Sequence, residues 1–278
     1  MSTRIETDSM GEVQVDDDRY WGAQTQRSLE HFAIGVERFR WTFPIVKALG
    51  ILKKAAAQAN VELAQLDARL GAAIVQAADE VIAGRWTDHF PLVVFQTGSG
   101  THSNMNANEV IANLALEHLG LAKGRYDVIN PNDHVNASQS TNDAYPTALK
   151  LATWFGIQEL LAALAGLRGA FEAKASEFAS ILKIGRTQLQ DAVPMTLGQE
   201  FTAFASMVAD DEKRLRESAY LMTEVNLGGT AIGTGINAPV GYVALVIPKL
   251  AELSGVPVTA AADMIAATAD TGAFVDIS

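Results

Sequence analysis

Apolar residues recur every three or four positions over most of this chain, and this spacing is typical of amphipathic helices. The pattern predicts two helices within residues 43–81, and further helices at about 106–119, 146–182, 196–225 and 240–253. Alternation typical of strands is confined to short stretches such as 12–15 and 92–95. We therefore predict an all-α fold, with an N-terminal, mostly helical domain followed by part of a bundle of long antiparallel helices.

Loops rich in Asn, Asp, Ser and Gly give way to the longest helices near Gln139, and this change predicts a domain boundary. The first predicted domain, residues 1–139, contains most of the polar loops, and the second, residues 140–278, is the central helical bundle. Residues 263–278 resemble the start of a further helix without a closing Gly or Pro. We expect the bundle to be incomplete at its C-terminus.

The composition narrows the classes of function. The formal charge is -11, which repels phosphate backbones, so we predict no nucleic-acid partner. Absence of Cys excludes disulfides, thiolate metal sites and a Cys nucleophile. The first 15 residues lack the basic and apolar blocks of a secretory signal, and charged residues interrupt every run near the roughly 18 apolar residues of a membrane span. We predict a cytoplasmic protein that does not enter membranes.

Three polar loops, at residues 96–106, 130–143 and 185–192, each lead into a predicted long helix. Glycines in the first loop allow backbone N–H groups to approach an anion at a helix N-terminus. The second loop presents hydroxyls and amides, which hydrogen-bond carboxylates well. The loops could equally serve the fold, as helix caps at Ser103 or Asn104 and as a helix-to-helix connection at 185–192. Spacing alone does not decide between these alternatives.

Metals and cofactors are not indicated. The glycine-rich stretch at 228–235 follows a predicted helix and not a strand, which argues against a dinucleotide-binding fingerprint. The five histidines, at positions 31, 89, 102, 118 and 134, lack the close helical spacing of a zinc site. We predict no catalytic metal and no cofactor.

Taken together, the loops resemble those of the fumarase/aspartase superfamily, in order and at matching intervals from about Arg4 to the last residue. The resemblance implies that hydroxyls, amides and backbone groups hold the two carboxylates of a four-carbon diacid. The matching substrate-binding positions are Ser99, Gly100, Thr101, Asn104, Ser140, Thr141, Asn142 and Thr187, and the catalytic positions are Thr187 and Gln188. An accessory anion site of fumarases is matched by Asn130, Pro131, Asn132 and Asp133.

The resemblance also implies a reaction. Family members remove a proton next to a carboxylate to give an aci-carboxylate, after which the neighbouring group leaves, and fixed dipoles stabilise the charge. Their general base is a Ser on a Gly-Ser-Ser-x-Met-Pro-x-Lys-x-Asn loop, which these 278 residues do not contain. We therefore expect a truncated chain that is inactive alone. Family sites combine three subunits of a tetramer, so a homo-oligomer is expected.

Two substrates remain in competition. Residues 20–28 and 96–101 resemble fumarases, whereas 130–136, 139–147, 185–201 and 224–237 resemble aspartases. Fumarases typically have a titratable His where this chain has Gln188, and an amide cannot relay protons. We therefore predict ammonia elimination from L-aspartate ahead of malate–fumarate interconversion by a class II fumarate hydratase. A non-catalytic oligomeric scaffold is the alternative of another class, and it would not need the hydroxyls of Thr101, Thr141 and Thr187.

Overall fold

A computed structural model describes residues 2–97 and 99–278 of the chain. Helices dominate this part of the protein, and the prediction of an all-α fold is confirmed. The helices are α1 (Ala23–His31), α2 (Phe43–Glu62), α3 (Ala68–Ile82), α4 (Thr101–His118), α5 (Thr141–Glu177), α6 (Leu197–Ala219), α7 (Tyr242–Ser254), α8 (Met264–Ala269) and α9 (Gly272–Ile277). The short strands are β1 (Thr3–Asp8), β2 (Gly11–Asp16), β3 (Leu182–Thr187), β4 (Gln190–Thr196), β5 (Glu224–Val225) and β6 (Thr259–Ala260).

The strands form three separate two-stranded pairs. The β1–β2 and β3–β4 pairs are antiparallel, whereas β5 pairs with β6 in parallel. In the first hairpin Thr3 lies opposite Asp16, and in the second Leu182 lies opposite Thr196. Two-stranded ribbons of this size do not form a separate layer, so packing between the helices provides the hydrophobic core.

The first compact unit comprises residues up to 153 together with 222–272. Its core is α2, whose small and branched side chains are almost completely buried against α3, α4 and α7. Helix α4 is buried over most of its length, including Val110, Ile111 and Leu114. Because α4 is buried on every face, each polar side chain on it requires a hydrogen-bond partner.

The second compact unit comprises residues 154–221 and 273–278. It contains the later part of α5, the β3–β4 hairpin and α6. Four phenylalanine rings in or next to these helices contact one another in tilted and edge-to-face arrangements: Phe171, Phe178, Phe201 and Phe204. Glu212 accepts from Arg168 at 3.0 Å and from Arg216 at 2.9 Å. The packing divides the chain inside α5, whereas the boundary predicted after Gln139 stays a prediction.

Several predicted helix boundaries are wrong. Helix α4 begins at Thr101, five residues before the predicted start, and α5 begins at Thr141 and ends at Glu177. Pro146 is tolerated inside α5 because the carbonyl it leaves unpaired, that of Asn142, accepts from Asn226 Nδ2 at 3.0 Å. Residues 263–278 form two short helices, α8 and α9.

The connection predicted at 185–192 is the tip of a β-hairpin and not a helix-to-helix turn. Two residues, Gln188 and Leu189, make the turn with positive φ angles of 50° and 64°. This backbone geometry matches the twist of a hairpin, and it is usually supplied by Asn and Gly.

Helix α5 has the length and composition of a membrane span, as found by a search of the described residues. Only 22% of its most apolar window is buried. One such helix is weak evidence for a membrane, because a long helix of a soluble bundle has a similar composition.

Candidate active site

The N-terminus of α4 lies against the N-terminus of α5. Gly100 precedes α4 in the left-handed region, with φ 76°, and a Cβ there would lie 2.3 Å from a ring carbon of Tyr145 on α5. Ser99 Oγ and Thr101 Oγ1 are 2.8 Å apart on the solvent side of this contact. Only glycine allows both the turn and the close approach.

Asn104 and Thr141 join the two helix starts directly. Asn104 Nδ2 lies 3.2 Å from Thr141 Oγ1, a side-chain hydrogen bond between α4 and α5. Asn104 is one helical turn after Thr101, so the two side chains share a face of α4. Ser99, Gly100, Thr101, Asn104 and Thr141 therefore form one group in the first unit.

Ser140 and Asn142 flank Thr141 and serve the start of α5. Ser140 Oγ accepts from the Asn142 backbone N–H at 3.3 Å, and the Ser140 N–H donates to Asp143 Oδ1 at 2.9 Å. This arrangement resembles a capping box, but the Ser140 hydroxyl bonds the second helical N–H and not the third, and Asp takes the place of Glu. The Asn142 side chain is exposed and donates to Ala231 O at 2.7 Å. Capping and ligand binding are compatible for these residues.

The glycine-rich stretch at 228–235 binds the carboxylate of Asp143 through its backbone. Its buried carboxylate accepts from the backbone N–H groups of Gly228 and Thr230, both at 2.9 Å. Burial raises the pKa of Asp143, while these N–H groups and that of Ser140 act to lower it. The stretch is thus a backbone nest for an internal carboxylate.

Lys53, on α2, lies beneath the start of α5 and was not predicted as a site residue. It is fully buried, and its Nζ donates to Asn104 Oδ1 at 2.7 Å, Asn136 Oδ1 at 2.9 Å and Gln139 Oε1 at 2.7 Å. Burial lowers the pKa of Lys53 to about 7, and the charge of Asp143 opposes this shift. The sequence offers one signal: Lys53 and Lys54 are adjacent within a largely apolar stretch of α2.

The accessory segment forms a five-residue turn with π-helical bonding, Pro131–Val135. Asn130 Oδ1 accepts from the N–H groups of Asn132 at 2.8 Å and Asp133 at 3.2 Å, and Pro131 is buried. Asn132 and Asp133 are exposed. Asn130 therefore caps the turn, and Asn132 and Asp133 are the members of this segment that face outward.

A cavity of about 490 Å³ borders this turn. Its polar lining includes Asn132, Asp133, Asn136 and Gln139, and residues 236–239 close another side. Asn136 and Gln139 also accept from Lys53, so the wall of this cavity is continuous with the buried amide cluster. Amide groups in such a wall can bind a small polar ligand.

Thr187 and Gln188 belong to the second unit, at the end of β3 and in the turn of the hairpin. Both are exposed, and the neighbouring Leu189 is 98% exposed. Arg186 Nε lies 3.4 Å from Asp191 Oδ1 across the hairpin. Non-glycine residues with positive φ are uncommon, and they concentrate at functional sites.

Similarity to known proteins places these observations in a family. The sequence profile described as lyase matches residues 11–278. The chain is 53% identical to the class II fumarate hydratase of Thermus aquaticus over 97% of its own length and 58% of the relative. It is 52% identical to the aspartate ammonia-lyase of Pseudomonas aeruginosa, over 99% of this chain and 58% of that one. The chain thus spans somewhat more than half the length of these relatives.

Solved structures agree with this result. The fumarate lyase:delta crystallin from Brucella melitensis bound to cobalt has a TM-score of 0.96 and 52% identity, covering 99% of this chain and 60% of that chain. The class II fumarase from Schistosoma mansoni has a TM-score of 0.95 and 35% identity, covering 99% and 61%. Both the sequence and the fold of this chain match the lyase family, and the chain belongs to the fumarase/aspartase superfamily.

Proposed function

We propose that this chain forms part of an ammonia-lyase that eliminates ammonia from L-aspartate to give fumarate. The observation that carries the proposal is the hydrogen bond between Asn104 and Thr141, because it joins two segments, distant in sequence, that the family resemblance assigns to carboxylate binding. The relatives support a lyase but carry both names, aspartate ammonia-lyase and fumarate hydratase, at similar identity. The choice of aspartate rests on the residue at position 188.

The dicarboxylate would be held by the hydroxyls of Ser99, Thr101 and Thr141, with Asn104 behind them. The first turn of α4 adds the positive end of its helix dipole, which favours an anion. Proton removal puts a second negative charge on the substrate carboxylate, and hydroxyl and N–H dipoles that are already fixed stabilise it without reorganising. We assign none of the residues here the role of general base, which the family places on a segment outside these 278 residues.

Gln188 favours aspartate over malate. Dehydration of malate requires a proton to be delivered to the departing hydroxyl, and hydration of fumarate requires one to be taken from the attacking water. A titratable side chain helps both transfers. An amide does not titrate, but it can donate to a substrate carboxylate or accept from an ammonium group. The amino group of L-aspartate is already an ammonium group while it is bound to carbon, so C–N cleavage releases neutral NH₃ without a further proton. An amide at position 188 therefore suffices for this leaving group.

We further propose that the protein acts as a homo-oligomer, a tetramer in its complete form, in the cytoplasm. Large exposed apolar side chains on the second unit support an assembly, since contact with another copy would remove them from water. They include Leu160 (49% exposed), Leu167 (45%), Met207 (54%) and the hairpin residues Leu182 (77%) and Leu189 (98%). Thr187 and Gln188, at the tip of this hairpin, would then serve a site shared between copies.

The substrate is tested by following the ultraviolet absorbance of fumarate formed from L-aspartate and from L-malate. The complete gene product and the 278-residue chain are assayed in parallel. We expect fumarate from aspartate alone. Fumarate from malate alone would overturn the aspartate proposal.

Hydration of fumarate is the second candidate, favoured by the fumarase-like residues 20–28 and 96–101 and by the similarity to class II fumarate hydratases. A non-catalytic scaffold is the third. Dicarboxylate binding separates the scaffold from both enzymes, because a scaffold has no reason to retain a carboxylate site.

A further inference from the structure

Lys53 carries an amine into the core of the first unit, where an unpaired charge would be costly. Its three neighbours at hydrogen-bond distance are the side-chain oxygens of Asn104, Asn136 and Gln139, at 2.7–2.9 Å. An ammonium group has three N–H donors and no acceptor. The three oxygens therefore satisfy the protonated amine completely.

The charged and neutral forms of Lys53 require different hydrogen-bond partners from these amides. A neutral amine has two N–H bonds and a lone pair, so one of three oxygens would face the lone pair. Asp143, on α5, is the charged group that faces Lys53, and the groups from α4 and from residues 136–139 are neutral amides. Burial lowers the pKa of Lys53 to about 7, so the amine exchanges forms near neutral pH.

The ammonium determines which way the Asn104 amide points. A side-chain amide has an oxygen at one end and an NH₂ group at the other, and its hydrogen-bond partners decide the orientation. Because Lys53 can only donate, Asn104 must turn its oxygen to the ammonium. The NH₂ group then points away, where it donates to Asn136 Oδ1 at 3.0 Å and to Thr141 Oγ1 at 3.2 Å.

We propose that Lys53 is a positioning residue that makes Thr141 a hydrogen-bond donor toward the ligand. The ammonium fixes the Asn104 amide, the amide donates to Thr141 Oγ1, and the hydroxyl hydrogen of Thr141 is directed away from Asn104. A carboxylate is a pure acceptor and needs a donor at that place. The inference rests on the proposed function, because a donor at Thr141 favours binding only when the ligand is an acceptor such as a dicarboxylate.

The test replaces Lys53 with Met, which keeps the length of the side chain and removes the donor. Lys54→Met is the matched control, because Lys54 is its neighbour on α2 and contacts Asp79 on α3 at 2.6 Å, away from the amides. Fumarate is titrated into the 278-residue chain at pH 6 and pH 9, and amide resonances report binding. We expect Kd to rise about tenfold in Lys53→Met, the effect of one lost hydrogen bond to a charged group, and to be unchanged in Lys54→Met.

The pH dependence distinguishes positioning from a purely structural role. In the unsubstituted chain the affinity for fumarate falls between pH 6 and pH 9, because Lys53 loses its proton and Asn104 is no longer held in one orientation. Lys53→Met has the same low affinity at both pH values. An affinity that depends equally on pH in both proteins would overturn the inference.

A second measurement needs no substitution and holds if Lys53→Met fails to fold. The Nζ resonance of Lys53 in the unsubstituted chain should be that of an exchange-protected ammonium at pH 6, with the Asn104 NH₂ protons close to Thr141. A neutral Lys53 at pH 6, or a reversed Asn104 amide, would overturn the inference. If these resonances are as expected but fumarate does not bind, the proposed function fails and the positioning by Lys53 stands.

Discussion

Gly100 shows how a single residue lets two helix starts approach each other closely. Its φ of 76° and the ring of Tyr145 leave no room for a side chain, so the start of α4 can approach α5 closely enough for Asn104 to reach Thr141. The hydroxyls and amides of this group could be predicted from the sequence through the resemblance to a family. The role of Lys53 could not be predicted in this way. Periodicity shows which helix face is buried, but it does not show which hydrogen-bond acceptors lie next to that face.

Gly100→Ala should lower the free energy of unfolding by more than Gly120→Ala. Gly120 has nearly the same φ, 75°, but a Cβ there would meet nothing within 4 Å. Both substitutions carry the left-handed backbone cost of about 1–2 kcal/mol, and only Gly100→Ala also displaces Tyr145. Urea denaturation of the three proteins measures the difference. Equal losses would show that the Tyr145 contact is unimportant for stability.

At the scale of elements, the existence of the helices was predictable and their starts were not. Helix α4 begins at Thr101 because Gly100 turns the chain there, and α5 begins at Thr141 because Ser140 and Asp143 cap it. The β3–β4 hairpin was missed for two physical reasons. None of its residues is buried, so it has no apolar face packed on a core, and its turn lacks the usual Asn and Gly.

The start of α5 and the glycine-rich segment should depend on the carboxylate of Asp143. Asp143→Asn replaces one carboxylate oxygen by an NH₂ group. This leaves without an acceptor either the Ser140 N–H, which donates to Oδ1, or the Gly228 and Thr230 N–H groups, which both donate to Oδ2, at a cost of about 1–3 kcal/mol. Hydrogen exchange should accelerate at the Ser140 amide or at the other two. Asp263→Asn is the control, because Asp263 caps α8 and Asn caps equally well. Unchanged exchange at all three amides in Asp143→Asn would contradict this role of the carboxylate.

At the scale of the molecule, the first unit contains the helix starts and the buried amide cluster, and the second contains Thr187 and Gln188. The all-α class and the superfamily were predictable from the sequence, because long periodic helices and matched loops extend over nearly the whole chain. The division into packing units was not, since α5 runs through both without a break in its pattern. The exposed apolar residues of the second unit support the proposed assembly.

The central claim is that the starts of α4 and α5 together bind a dicarboxylate. It is tested most directly by titrating fumarate into the 278-residue chain and into Thr141→Val, which keeps the shape of the side chain and removes its hydroxyl. The account predicts shifts of the backbone resonances of Thr101 and Thr141, with Kd about tenfold higher in Thr141→Val. Shifts that are absent, or an affinity that is the same in both proteins, would contradict it.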